Sequence, residues 1–295
     1  MWFKQVSVFR LPEKTEAAVL EQALATMAFV PPAGLDWYGI GFAPAAPFGQ
    51  QLVFDTVNSL RVALKREERV LPAAVIRDAL DKKIAAIEAA EARTVGRKEK
   101  QELKEQITDD LLPRAFTRPS RIEALITDGL LLVNTAGSNT AERLLSKLRE
   151  ALDSLEAQLP HTKESPSSLM TEWLLKGYAD GLFDLDDAVL LKGEGDVAPV
   201  VRVSRHDLTA DEVVHHVRSG KKVAELGLIW NERISLVLTQ DMTFKNIRYL
   251  DVLTQEAEND SDSAQDLFAA GQTIMAHDLA AMVQELAWLL QGWQE

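Results

Sequence analysis

The 295-residue sequence contains no cysteine, which excludes disulfides and thiolate metal sites and fits a reducing compartment such as the cytoplasm. It also has no uninterrupted run of about 18 apolar residues, so no transmembrane helix is predicted. The first residues, MWFKQVSVFRLPEK, lack the basic and apolar regions of a signal peptide. We therefore expect a cytoplasmic protein that does not insert into a membrane.

Residues with an obvious catalytic arrangement are also scarce. The five histidines are His161, His206, His215, His216 and His277. None of them lies in a metal-binding spacing such as H-E-x-x-H, and no G-x-S-x-G motif occurs. The glycine pairs Gly39/Gly41 and Gly193/Gly195 lack the remainder of a phosphate-binding loop. We predict that the protein is not an enzyme and uses neither a metal nor a cofactor.

Charge is distributed unevenly along this acidic chain, whose formal net charge is −13. The segment 93–121 has a charge of +3, from eight bases and five acids, which leaves −16 for the remainder. The eight bases are Arg93, Arg97, Lys98, Lys100, Lys104, Arg114, Arg118 and Arg121. A local basic segment in an acidic protein indicates a specific contact with an anion rather than general attraction to polyanions.

The order of predicted elements favours an α+β fold with antiparallel sheets and flanking helices, because strands mostly follow strands. Apolar spacing between Pro72 and Leu112 predicts a long helical arm, made of two helices or one bent helix. Asp128-Gly129 between two apolar runs predicts a hairpin turn. The pairs Asn139/Glu142 and Thr209/Glu212 have the spacing of capping residues at helix starts.

Three sections follow from this order of elements. The first is an N-terminal α+β section at 1–71. The second, at 72–160, holds the helical arm, a basic-aromatic segment and the hairpin. The third is a C-terminal α+β section at 161–295, which is expected to end in a helix from about Ala264 to Leu290.

The basic-aromatic segment is LLPRAFTRPSR, residues 111–121. Its prolines disfavour helix, and in an extended chain Arg114, Phe116 and Arg118 would share one face. A core phenylalanine does not normally share its face with two arginines. The segment therefore indicates nucleic-acid contact or a partner-docking finger, while a strand with Phe116 in the core remains the alternative.

Several short motifs occur in order between Met1 and about Asp251: MWFK, KREERVLPAAVI, LLPRAF, TEWL, and a segment from Asp207 that includes GKKVAEL. Together they resemble the RdgC family of bacterial recombination-associated proteins. The resemblance implies a protein of the cytoplasm and nucleoid that binds double-stranded DNA without sequence preference. It also implies a two-fold homodimer closed into a ring around the DNA, which restrains the recombinase that drives strand exchange.

Under this resemblance Phe116 lies at a dimer interface and the basic residues line the DNA path. The predicted DNA-binding set is Arg93, Arg97, Lys98, Lys100, Lys104, Arg114, Arg118, Arg121 and Arg205. Arg205 stands in SRHDLT, where the family often carries more lysine. Two other functions remain as alternatives: a metal-dependent nuclease that acts on DNA, and a module that docks only to another protein.

Overall fold

The computed structural model describes residues 2–12, 14–195, 198–259 and 263–294. The fold is α+β, as predicted. The strands are β1 Val6–Arg10, β2 Tyr38–Phe42, β3 Val53–Thr56, β4 Ser59–Val70, β5 Phe116–Thr127, β6 Leu130–Val133, β7 Phe183–Lys192, β8 Val200–Ser204, β9 Lys222–Trp230, β10 Ile234–Thr239 and β11 Thr243–Tyr249. The helices are α1 Ala17–Ala25, α2 Ala73–Glu91, α3 Arg97–Leu111, α4 Ser138–Leu152, α5 Pro166–Lys176, α6 Asp211–Arg218, α7 Asp251–Asn259 and α8 Ala264–Leu289.

All of these strands belong to one antiparallel sheet in the order β2-β4-β5-β6-β1-β11-β10-β9-β7-β8, with β3 paired to β4. The N-terminal strand β1 is the link, since it pairs with β6 on one side and β11 on the other. Sections 1–71, 72–160 and 161–295 therefore contribute to a common sheet. Their separation into domains stays a prediction.

Two hydrophobic cores lie on opposite faces of this sheet, and β6 shows the arrangement most clearly. Leu130 and Leu132 join the core that contains α8, whereas Leu131 and Val133 join the core that contains α1 and α4. Successive side chains of a strand point to opposite faces, so β6 is buried on both sides. This double burial accounts for its uninterrupted apolar sequence.

The predicted hairpin and arm are confirmed. Asp128 and Gly129 have φ of +46° and +73°, the left-handed values that a tight two-residue hairpin turn requires. The arm consists of two helices, α2 and α3, and not one bent helix, because Ala92 ends α2 in the left-handed conformation. The turn between them is closed by Glu88, whose Oε1 accepts a hydrogen bond from the Val95 amide at 3.0 Å.

Both predicted capping pairs are wrong. Helix α4 begins at Ser138 with Gly137 before it, so Asn139 already lies inside the first turn. Helix α6 begins at Asp211, and the Thr209 hydroxyl donates to the Asp207 carboxylate at 2.7 Å instead of capping it. The contact between Thr209 and Asp207 competes with the cap geometry.

In the described part of the chain, no helix combines the length and hydropathy of a membrane span.

Candidate nucleic-acid interface

Strands β4 and β5 hold the candidate site, because the arm leaves the end of β4 and returns to the start of β5. Their register places Val70 opposite Phe116 and Glu68 opposite Arg118. Along this part of β5, from Phe116 to Arg121, β4 is the only described strand that pairs with it. An open strand edge tolerates Pro119, which cannot donate a ladder hydrogen bond.

Phe116 is the first residue of β5 and its side chain is 88% exposed. The alternative in which Phe116 enters the core of the subunit is therefore wrong. Arg118 shares its face of the strand, as predicted. Arg114 does not, because it ends a 3₁₀ turn, Leu112–Arg114, that is closed by a hydrogen bond from the Ala115 amide to the Leu112 carbonyl at 3.1 Å.

Helix α3 carries four of the nine predicted basic residues, Arg97, Lys98, Lys100 and Lys104. Arg97, Lys100 and Lys104 are spaced i, i+3 and i+7, so they form a stripe along one side of the helix. All three are exposed, and none forms an ion pair with another described residue. Lys98 lies away from this stripe, with its Nζ 3.9 Å from a Glu102 carboxylate oxygen. We call Arg97, Lys100 and Lys104 the basic stripe.

Arg93 is in a different situation, since its guanidinium is bound within the arm. It donates to Glu99 through both terminal nitrogens, at 2.6 and 2.7 Å, and to Glu91 through Nε at 2.6 Å. The hydrogen bonds that Arg93 donates to Glu99 and then to Glu91 raise the pKa of Arg93, and Arg93 lowers the pKa of Glu99. Arg93 thus stabilises the turn between α2 and α3, and its charge is largely balanced there.

Arg121 lies five residues after Phe116 and so points to the opposite face of β5. Its Nη2 donates to the carbonyls of Pro44 and Ala45 at 2.6 and 3.2 Å, and its Nε lies 3.1 Å from Glu123. These contacts attach the loop after β2 to the sheet. Arg121 is therefore separated from the face that carries Phe116 and Arg118.

A cavity of about 900 Å³ opens beside this loop and is mostly apolar. Phe29, Phe42 and Leu52 contribute to its wall, while Lys65 and Arg121 add two cations. The Lys65 ammonium lies 4.2 Å from the centre of the Phe29 ring, a cation–π contact. Residues 119–121 of β5 line part of the cavity, which therefore begins three residues along the strand from Phe116.

Arg205 lies at the other end of the sheet from the other predicted DNA-binding residues. It follows β8, at the end of the strand order opposite to β2 and β4, and has a left-handed φ of +56°. It lines a cavity of about 690 Å³ whose wall also includes Asp184, Asp186 and Asp187. These carboxylates make its surroundings acidic, so a contact between DNA and Arg205 stays a separate prediction.

One arginine that the sequence analysis did not select, Arg69, lies at the centre of this region. Its side chain donates four hydrogen bonds to backbone carbonyls at the base of the arm. The only signal in the sequence is its place near the end of KREERV, which forms the last part of β4.

In the described residues, no group of three or more histidine, aspartate or glutamate side chains is placed to hold a metal ion.

Comparison with known proteins assigns the family. The family model described as "Putative exonuclease, RdgC" matches residues 1–293. A protein of Neisseria meningitidis named "Recombination-associated protein RdgC" is 57% identical over 299 residues, covering 100% of both chains.

Relatives with the same name extend this similarity. That of Laribacter hongkongensis is 49% identical over 300 residues, covering 100% of both chains. That of Pseudomonas syringae pv. tomato is 38% identical over 302 residues, covering 99% of this chain and 98% of its own. These names refer to recombination, whereas the family model's description refers to an exonuclease. This chain belongs to the RdgC family.

Proposed function

We propose that the protein binds double-stranded DNA without sequence preference, as a two-fold homodimer that closes into a ring around the duplex. It acts in the cytoplasm, on the nucleoid, and restrains recombinase-driven strand exchange by occupying the DNA. The observation that carries this proposal is the basic stripe, which is exposed and forms no ion pair with another described residue, on an arm whose base holds the exposed Phe116.

The chemistry of the stripe favours phosphate over bases. From Arg97 to Lys104 it covers about 10 Å of helix, at about 1.5 Å per residue. Cationic side chains on a helix surface neutralise phosphates, and such contacts fix position without reading sequence. Affinities for unrelated duplexes of equal length should therefore agree within about tenfold. A site preferred by about a thousandfold, as for sequence-specific regulators, would contradict the proposal.

Self-association is supported by the relation between Phe116 and the cavity beside β5. In a two-fold dimer each contact occurs twice, with residue i of one copy on residue j of the other. We place Phe116 of each copy in the cavity of the other, so that the same contact is made twice. Burial of a phenylalanine contributes roughly 1.5–3 kcal/mol by area.

We propose that the protein binds DNA without acting on it as an enzyme. The description of the family model keeps a nuclease as the second candidate, since metal-dependent nucleases hold their ions with converging carboxylates. The described residues contain no such group of three. Incubation of labelled plasmid with the protein and Mg²⁺ tests the three functions. Retarded, intact DNA supports the clamp, nicked or linear DNA supports the nuclease, and unshifted, intact DNA supports a module that docks only to proteins.

Restraint of strand exchange is expected to follow from occupancy of the DNA. Inhibition of a purified recombinase should therefore be relieved by competitor duplex and should weaken with salt in parallel with DNA binding. Inhibition that persists when the protein is released from DNA would instead indicate direct contact with the recombinase.

A further inference from the structure

Arg69, near the end of β4, joins three separate segments at the base of the arm. Its Nη1 donates to the carbonyls of Leu112 and Pro113 at 2.9 and 3.0 Å. Its Nη2 donates to the Pro32 carbonyl and its Nε to the Asp36 carbonyl, both at 3.0 Å. All four lengths lie within the usual range for such bonds.

The positions of these acceptors connect Arg69 to Phe116. Leu112 and Pro113 form the 3₁₀ turn by which the chain leaves α3 and enters β5, and Phe116 follows three residues later. The other acceptors belong to the loop before β2. The Arg69 amide also donates to the Trp37 carbonyl at 2.8 Å, so backbone and side chain hold the same loop.

We propose that Arg69 is a positioning residue that fixes the direction of Phe116 and of the arm, and not a ligand of DNA phosphate. The proposal rests on the function proposed above, in which Phe116 contacts a second copy of the chain. The guanidinium presents its N–H donors in a rigid planar fork, and here Nε, Nη1 and Nη2 all donate to main-chain oxygens. With its donors engaged in this way, Arg69 differs from the basic stripe, whose cations form no ion pair within the described part of the chain.

Lysine is the informative substitution because it separates charge from geometry. Arg69→Lys keeps the positive charge, but one ammonium group cannot reach four carbonyls that are arranged around a planar fork. At least one of the four hydrogen bonds that join the 3₁₀ turn and the loop before β2 would therefore be lost. The start of β5 would then sample several directions, and Phe116 would meet its partner less often in the bound geometry.

The experiment is a double-mutant cycle of Arg69→Lys and Phe116→Ala, with release from a nicked circular plasmid as the readout. We expect Arg69→Lys to speed release about two- to tenfold, the range for loss of about one net hydrogen bond. The double mutant should release no faster than Phe116→Ala alone, since both changes act on one contact. The slope of log affinity against log salt should match that of the wild type.

The matched control is Arg66→Lys, in the same strand. The guanidinium of Arg66 lies 4.6 Å from the centre of the Tyr38 ring and 3.6 Å from Glu68, and among the described residues it donates to no carbonyl of the 3₁₀ turn. The Arg66→Lys variant should be released from the nicked circle at the wild-type rate. A salt slope lowered by about 0.9 in Arg69→Gln, which removes the charge, would make Arg69 a phosphate ligand and overturn the proposal.

Release data also separate this proposal from the proposed function. Suppose that the wild type is retained on circles and that Phe116→Ala is released faster. If Arg69→Lys is then released at the wild-type rate, or if it further raises the release rate of Phe116→Ala, only the role of Arg69 is wrong. If the wild type itself is not retained, the ring fails. Should Arg69→Lys not fold, Arg69→Gln takes its place. Loss of folding in both variants overturns the proposal, because Arg69 would then be required by the whole fold.

Discussion

Phe116 lies directly opposite Val70 across the β4–β5 pair, at the point where the arm leaves and rejoins the sheet. Both side chains are exposed, at 88% and 42%. An exposed apolar pair at the end of a ribbon, next to a basic helix, contributes little to the stability of one subunit. It is suited to a contact with another molecule.

Phe116→Ala should therefore leave the subunit folded and loosen the dimer at this end of the ring. An aromatic anchor can cost 2 kcal/mol or more on truncation at an interface, whereas an exposed side chain costs within about 0.5 kcal/mol in the monomer. We expect a nearly unchanged melting temperature and faster release from nicked circles. Tyr178→Ala, which removes another exposed aromatic, is the control. A large drop in melting temperature with unchanged release would contradict the interface role.

Charge reversal tests the basic stripe and its neighbour. A triple variant has glutamate in place of Arg97, Lys98 and Lys100. It should bind all duplexes more weakly and to the same extent. The slope of its log affinity against log salt should fall by up to about 0.9 per lost phosphate contact. The control reverses three bases of α4, Arg143, Lys147 and Arg149, which gives the same net charge on a helix that packs on the sheet. Equal loss in both variants would mean that net charge, and not the arm, governs binding.

Gly41 in β2 allows a close backbone approach that a side chain would block. A Cβ there would lie 2.6 Å from the Phe29 Cα and 2.7 Å from the Met27 carbonyl oxygen. Gly41→Ala should therefore cost about 1–3 kcal/mol of unfolding free energy, the usual range for overpacking. Gly96→Ala, where a Cβ meets nothing within 4 Å, should cost less than about 1 kcal/mol. Chemical denaturation of both variants gives the comparison.

His206 predicts a pH dependence of stability near Arg205. Its Nδ1 is 2.9 Å from the Asp207 carbonyl oxygen and its Nε2 is 2.7 Å from Glu212. The hydrogen bond to Asp207, and then the charge of Glu212, raise the pKa of His206. Because the folded pKa exceeds the unfolded one, the stabilisation is fully present below the unfolded pKa of about 6.5 and is lost as pH rises through the folded value.

The melting temperature of wild type relative to His206→Gln measures this effect. The difference should be largest below the unfolded pKa of about 6.5 and should decline as the pH rises above it. A difference that grows with pH would contradict the assignment of His206 as the stabilising cation.

Local patterns predicted much of the fold. The arm, the Asp128-Gly129 hairpin and the final helix follow from periodicity and turn chemistry, which act within a few residues. The single sheet could not be predicted in this way, because the pairing of β1 with β11 joins residues more than 230 positions apart. Long-range pairing depends on the whole chain, and no local signal specifies it.

The candidate site was predicted only in part for the same reason. The composition of 93–121 indicated the basic segment, but it could not show that Arg93 is bound by Glu91 and Glu99. Nor could it show that Arg121 faces away from Phe116 or that Arg205 lies at the other end of the sheet. Arg69 was missed because its four acceptors are backbone carbonyls, which leave no pattern in the sequence.

Encirclement of DNA is tested by the release of the protein from one plasmid in two forms. The plasmid is either nicked, so that it remains a circle, or cut once, so that it has ends. Dissociation is followed at matched salt after addition of excess competitor. A ring should be released slowly from the circle and faster from the cut form, because it can slide off an end. Equal rates from the two forms would contradict it.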